Sequence, residues 1–406
     1  MPGPLGHAAL GGLEVLLYNA GAGAAVTSAQ VDDMPRIIDA LETSQRLAIA
    51  GAFVFTIAAG LTVAAGAPEV AQFIVSAFAI AALAAVVGQS IEQIGEYLGP
   101  GATGLLQSSL GNLPELFVAI FALRDGLTSV VQSALVGSVL ANVLLVLGVA
   151  FLSGGARHGI QKFRPEAPRM LVTLLTLAVG ATLVPTLAAR LATPAAHHTK
   201  ALSDATAVIL LLVYLASIPF WLSGGPGGRD GTDRASPGGE GATVGTSPPA
   251  TPRRWPLRMA VIVLVVTGAA SAAASNWFVS SLIPATVALG ITPEFTGLVI
   301  VAIASNAVEN FVGVRFAWKA RSDYAISTIL NSPLQITLLL TPVLVISSAF
   351  FGPEQLTLVF PPLLVAALAV AVVVAVVVIY DGEYSWLEGV ALIALYAIIA
   401  AAFWWG

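Results

Sequence analysis

A succession of apolar stretches, each about twenty residues or longer and nearly free of charge, is the strongest constraint on how this chain folds. A helix that crosses a bilayer needs roughly 20 such residues. On that rule the sequence predicts eleven spans: 47–66, 69–98, 101–124, 128–153, 169–191, 203–222, 257–290, 294–319, 322–349, 357–380 and 386–404. The second and seventh exceed one membrane thickness, so they are tilted or run beyond the bilayer. Phe360–Ile379 is almost wholly Val, Ala, Leu and Pro. Only 10% of the residues are charged, against about 25% in a soluble domain. That is too few to give so large an apolar chain a polar surface, so lipid is its outer solvent. The expected fold is all-α and polytopic.

The same composition removes several classes of function. There is no cysteine, hence no disulfide and no thiolate metal site. The net charge of −5 comes with no basic patch for nucleic acid. No G-x-x-x-x-G-K-[ST] loop is present to drive a pump. Neither H-E-x-x-H nor G-x-S-x-G occurs, and no histidine lies inside a span, which argues against an intramembrane enzyme. No cofactor is expected.

Residues 1–46 lack the basic start of a secretory signal and read as a cytoplasmic or interfacial lead-in, with an amphipathic piece around Met34–Leu47. Residues 223–256 are rich in Gly, Pro, Ser and Thr and read as a flexible cytoplasmic linker. The predicted organisation is therefore a leading helix (47–66), a five-helix half (69–222), the linker and a second five-helix half (257–406). With the N-terminus in the cytoplasm, thirteen of the 17 Lys and Arg fall on that side. The positive-inside bias thus sets the N-terminus in and the C-terminus out.

The halves repeat each other. When Ser109–Val149 is laid over Ile303–Val343, Asn112 meets Asn306, Glu115 meets Glu309, Ser133 meets Ser327 and Ser138 meets Ser332. Five spans per half is odd, so the halves enter the membrane from opposite sides, an arrangement common among secondary transporters with a midplane site. Glu115 and Glu309 each fall near the middle of a span. Burial disfavours a charged carboxylate, so each holds a proton unless a cation sits beside it. Cation and protons then compete for the same oxygens. A lone glutamate could instead be a protonated, structural bridge between helices, although intramembrane ionisable residues are functional by default; a matched pair with matched asparagines favours a site more strongly. Asn112 and Asn306 stand three residues earlier on the same face, and Pro114 can kink its helix and free a carbonyl. Ser138, Asn142, Ser332 and Gln335 add neutral oxygens, enough in number for the 6–8 hard ligands of Ca²⁺. Glu92 and Glu96, one turn apart near the cytoplasmic end of the second span, can attract cations or simply be interfacial charges. His197 and His198 fall in an outer loop and read as solvated.

At these residues the sequence resembles the calcium/cation antiporter superfamily, in its cation/proton exchanger branch. Ser90–Leu123, with a Gly-Asn-x-x-Glu core at Gly111–Glu115, is similar to the first signature; Asn276–Val314 and Asn331–Pro342 are similar to the second. Ser305 stands where Gly is usual, Asn310 where His is frequent, and Asn276 where an acid is common. The resemblance implies the sodium/calcium-exchanger membrane fold in a bacterial plasma membrane. It also implies Ca²⁺/H⁺ exchange in which Glu115 and Glu309 bind the cation and pass protons, with Asn112 and Asn306 as further ligands. Na⁺/H⁺ or Na⁺/Ca²⁺ exchange is the alternative. A cation channel, of a different class, would need a continuous pore, usually built by oligomerisation. Lipid, inorganic cations and protons are the expected partners, with homo-oligomerisation left open.

Overall fold

The computed structural model describes residues 43–98, 106–107, 109–222 and 255–405. The expected lead-in up to 42 and residues 223–254 lie outside them. In chain order the helices are α1 (Thr43–Ala64), α2 (Glu69–Leu98), α3 (Leu113–Arg124), α4 (Thr128–His158), α5 (Glu166–Arg190) and α6 (Thr199–Leu222). They continue as α7 (Leu257–Leu289), α8 (Pro293–Ser305), α9 (Ala307–Trp318), α10 (Ser322–Phe351), α11 (Pro362–Tyr380) and α12 (Trp386–Trp404).

Among the described residues, nine of these are long and apolar enough to cross a membrane; α3, α8 and α9 are not. The stretch expected to be one span over 294–319 is two helices, α8 and α9, separated at Asn306. The stretch over 101–124 is likewise interrupted: Gly111 and Asn112 form a turn before α3. The remaining expected spans appear with ends shifted by a few residues.

Burial ranks the helices. The apolar window of α4 is 83% buried and that of α10 61%, whereas that of α1 is 11% buried. So α4 and α10 form the centre, and α1 lies on the rim against α2. Helix α4 is held by close backbone approaches on two sides. A Cβ on Gly137 would collide with the backbone of Leu298 in α8, and one on Gly297 would stand 2.6 Å from the Val130 carbonyl oxygen. Further along, a Cβ on Gly148 would stand 2.9 Å from the Gly389 oxygen of α12. Without side chains at these crossings the helices can touch, as small residues permit in bilayers.

The loops tie the two halves together at both ends. Strands β1 (Gln161–Lys162) and β2 (Glu383–Tyr384) pair antiparallel, placing the α4–α5 and α11–α12 connections side by side. Tyr384 stacks on Phe151 with ring centroids 4.0 Å apart and lies 3.2 Å from the Ser322 hydroxyl. Elsewhere, the segment before α11 is extended rather than helical from 357, because Pro361 and Pro362 fix the helix start. Its alternate backbone N–H groups are taken by hydroxyls: Leu356 by Ser348, Leu358 by Ser203 and Phe360 by Thr186, at 2.9, 3.0 and 2.9 Å. Side chains thus replace the sheet partner that buried extended backbone needs.

Candidate cation site

Asn112 and Asn306 terminate their interruptions with nearly the same backbone, φ −91°, ψ 18° and φ −99°, ψ 10°. This is the sparsely populated bridge region. A new helix starts at the next residue in both cases. Glu115 and Glu309 are therefore the third residues of α3 and α9, at half-helix N-termini whose free N–H groups and dipole favour negative charge. Pro114 occupies the first turn of α3, where its missing N–H costs nothing. The side chain of Glu309 lies outside the described residues.

Glu115 is buried, 3% exposed. Its Oε1 accepts a short hydrogen bond from the Ser138 hydroxyl of α4. That hydroxyl in turn accepts from Asn306 Nδ2 at 3.0 Å. Asn306 Nδ2 also reaches the Ala302 carbonyl at 3.0 Å and Ser305 Oγ at 3.3 Å, which fixes its amide. On the far side, Ser332 of α10 donates to Asn306 Oδ1 and accepts from Asn142 Nδ2, both at 3.4 Å. Donation therefore runs from Asn142 through Ser332, Asn306 and Ser138 and ends on the Glu115 carboxyl. Asn112 Nδ2 lies 3.4 Å from Gln335 Oε1, joining α10 to the first interruption.

Asn142 and Gln335 sit where α4 and α10 widen. Residues Ala141–Val146 and Ile336–Leu340 are π-helical, at corresponding places in the two halves. Such a turn inserts an extra residue and re-aims side chains, and it recurs at functional sites. Asn142 Oδ1 is buried with no hydrogen-bond partner among the described residues. A buried acceptor left free in a polar cluster is costly, and it is a ready ligand for a hard cation. A cavity of about 10 Å³ borders Glu115, roughly the room for one water; its walls, from α3, α4 and Val301, are otherwise apolar.

The structure thus brings Glu115, Asn306, Ser138, Asn142 and Ser332 into buried contacts between the two interruptions, with the half-buried Asn112 on Gln335 beside them and Ser305 and Pro114 at the edge. Gly111 lies in the turn, where a Cβ would crowd Gln107. Glu92 and Glu96 are exposed near the end of α2, outside this cluster. Among the described residues no three His, Cys, Asp or Glu gather as a metal group; the oxygens here are mostly neutral. Two features go beyond what the sequence predicts. Arg124 Nη2 donates to Asn276 Oδ1 of α7 at 3.0 Å, and Trp255, expected to be flexible linker, is fully buried.

The family model described as "Sodium/calcium exchanger protein" matches residues 69–222 and again 259–405. The Ca(2+)/H(+) antiporter of Synechocystis sp. is 36% identical over 342 residues, covering 82% of this chain and 91% of the relative. The Ca(2+)/H(+) antiporter ChaA of Bacillus subtilis is 32% identical over 338 residues, covering 83% and 92%. Among solved structures, native YfkE superposes with a TM-score of 0.72 at 29% identity, over 87% of this chain and 100% of that one. The H⁺/Ca²⁺ exchanger CAX shares the fold at a TM-score of 0.65 and 17% identity, over 89% and 92%. Paired interruptions, apolar helices and these matches agree: the chain is an integral membrane protein of the sodium/calcium exchanger family.

Proposed function

We propose that the chain is a secondary antiporter that exchanges Ca²⁺ for protons across its membrane. Glu115 and Glu309 are the groups for which cation and protons compete. The observation that carries this reading is the single hydrogen-bonded path from Asn306, at one interruption, through Ser138 to Glu115 at the other. The halves act as inverted repeats, with the N-terminus in the cytoplasm and the C-terminus outside. The family model's separate matches to each half and the Lys/Arg bias support this arrangement.

Ca²⁺ is written here as substrate. Ser138, Asn142, Ser332 and the asparagines Asn112 and Asn306 supply neutral oxygens, and the two carboxylates balance its charge. With no cation bound, burial favours protonated carboxyls. Cation binding displaces those protons, and protons arriving on the other face displace the cation. Because the site is loaded with one or the other, reorientation carries no unbalanced buried charge, which would be expensive. Relatives named Ca²⁺/H⁺ antiporters support Ca²⁺ as the cation.

Reconstituted vesicles test this. A Ca²⁺ gradient should drive saturable proton movement, more strongly than Na⁺, K⁺ or Mn²⁺ gradients do. Glu115→Gln and Glu309→Gln should each abolish it. Unaltered flux in both variants would sink the reading.

A further inference from the structure

The overlay that pairs Glu115 with Glu309 also pairs Ala119 with Gly313, Val131 with Ala325 and Leu135 with Ile329. The two halves pack these residues differently. In the second half α9 and α10 touch: a Cβ on Gly313 would stand 2.5 Å from Ile329 Cγ1 and 3.9 Å from the Ala325 carbonyl oxygen. In the first half Ala119, Val131 and Leu135 instead line the cavity of about 10 Å³ that follows α3 from Glu115 to Ala122. The Ala119 methyl sets α3 back a little from α4, but room for about one water remains.

The far ends of the two half-helices are tied differently too. Arg124 lies about two and a half turns beyond Glu115, on the face of α3 turned away from the cavity. Its Nε donates to Asp125 Oδ1 at 3.1 Å, and its guanidinium lies over Phe121, 5.2 Å from the ring centroid. This leaves Nη2 to Asn276 Oδ1 of α7, 3.0 Å away. The counterparts of Arg124 and Asn276 are Trp318 and Ala82, and an alanine side chain offers no acceptor. Trp318 ties α9 to α4, its carbonyl 3.1 Å from His158 Nε2 and its ring 4.7 Å from the Arg157 guanidinium carbon. So α3 is held towards α7 with a void behind it, whereas α9 is held to α4 and packed on α10.

We propose that α3 has a second position, closed on α4 as α9 is closed on α10, and that Arg124, through Asn276, holds α3 out of it. Arg124 is thus a positioning residue for Glu115, which moves with α3. Closure regains the contacts that the walls of an empty void lack, and the tie offsets that gain. Asn276 is neutral, so the tie biases α3 without locking it and releases within a transport cycle. The proposal deepens the exchange reading, but its first test needs no transport.

The chain has no cysteine, so an Ala119→Cys, Leu135→Cys pair in the reconstituted full-length protein reports the second position. A disulfide requires the close Cβ approach that Gly313 and Ile329 already show. Copper-phenanthroline oxidation of the pair should run about two- to ten-fold faster with Arg124→Gln, the effect of one lost hydrogen bond on a two-state balance. Arg124→Lys, which keeps a charged donor, should give a smaller increase. Asn276→Asp, which turns the tie into an ion pair, should slow oxidation below the parent rate. Equal rates in all backgrounds, or an increase in Asn276→Asp like that in Arg124→Gln, as general loosening gives, would overturn the proposal. Ala119→Leu, which fills the void, carries the test if the cysteine pair does not fold. Its turnover should fall several-fold at an unchanged half-saturating Ca²⁺ concentration, and unchanged turnover would overturn the second position. The expected cross-linking in a protein that moves no Ca²⁺ would support the tie while contradicting the exchange reading.

Discussion

Asn306 Nδ2 lies 3.0 Å from Ser138 Oγ, so an asparagine from the second half of the chain holds the hydroxyl that serves Glu115 in the first. Neither half completes the cluster alone. A change at Ser138 should therefore be felt through both interruptions.

Replacing Ser138 with Ala removes the donor to Glu115 and the acceptor for Asn306. A hydrogen bond to a charged group contributes about 1.5–3 kcal/mol, equivalent to roughly a 10- to 100-fold change in affinity. Ca²⁺ titration of the purified protein should show a loss of that size in Ser138→Ala. Ser138→Thr, which keeps the hydroxyl, should lose much less.

The crossing of α4 and α8 predicts a contrast between two glycines. Gly137→Ala drives a Cβ into the backbone of Leu298 and should destabilise by about 1–3 kcal/mol, as overpacking does. Gly180→Ala in α5, where a Cβ would meet nothing within 4 Å, should stabilise by about 0.5–1 kcal/mol. Thermal midpoints followed by size-exclusion fluorescence would separate the two.

Tyr384, in the β2 turn outside the spans, gives a pH prediction. Burial pushes its hydroxyl above the ordinary 10.0, partly opposed by the hydrogen bond with Ser322. The unfolded chain therefore loses this proton first as pH rises. Stability should be unaffected by this group below pH 10 and should fall above it, until the folded state also ionises. Tyr384→Phe should show a smaller alkaline loss in the same thermal series, with a lower starting stability from the lost Ser322 contact.

Much of this architecture was legible because bilayer thickness imposes one length rule on every span. The 69–98 span coincides with α2, and the gapless overlay paired Asn112 with Asn306 and Glu115 with Glu309, the residues that stand at the two interruptions. That the 294–319 stretch would divide at Asn306 was not legible. The break is made by backbone angles at an asparagine, with no Pro or Gly to mark it. The π-helical turns left no sequence mark either, since Ala141–Val146 and Ile336–Leu340 read as ordinary apolar helix. Glu92 and Glu96, which read equally as cation-attracting or interfacial charges, lie exposed on α2. The burial of Trp255 does have a sequence signal: one large aromatic residue at the edge of a stretch otherwise rich in Gly, Pro, Ser and Thr.

The central claim is that Ca²⁺ and protons compete for Glu115 and Glu309, and proton release on binding tests it most directly. Calorimetric Ca²⁺ titrations in buffers of different ionisation enthalpy give the number of protons released per ion bound. The account predicts about one to two protons in the native protein, and fewer in Glu115→Gln if any binding survives. Ca²⁺ binding with no proton release, at a pH where protons are transported, would contradict it.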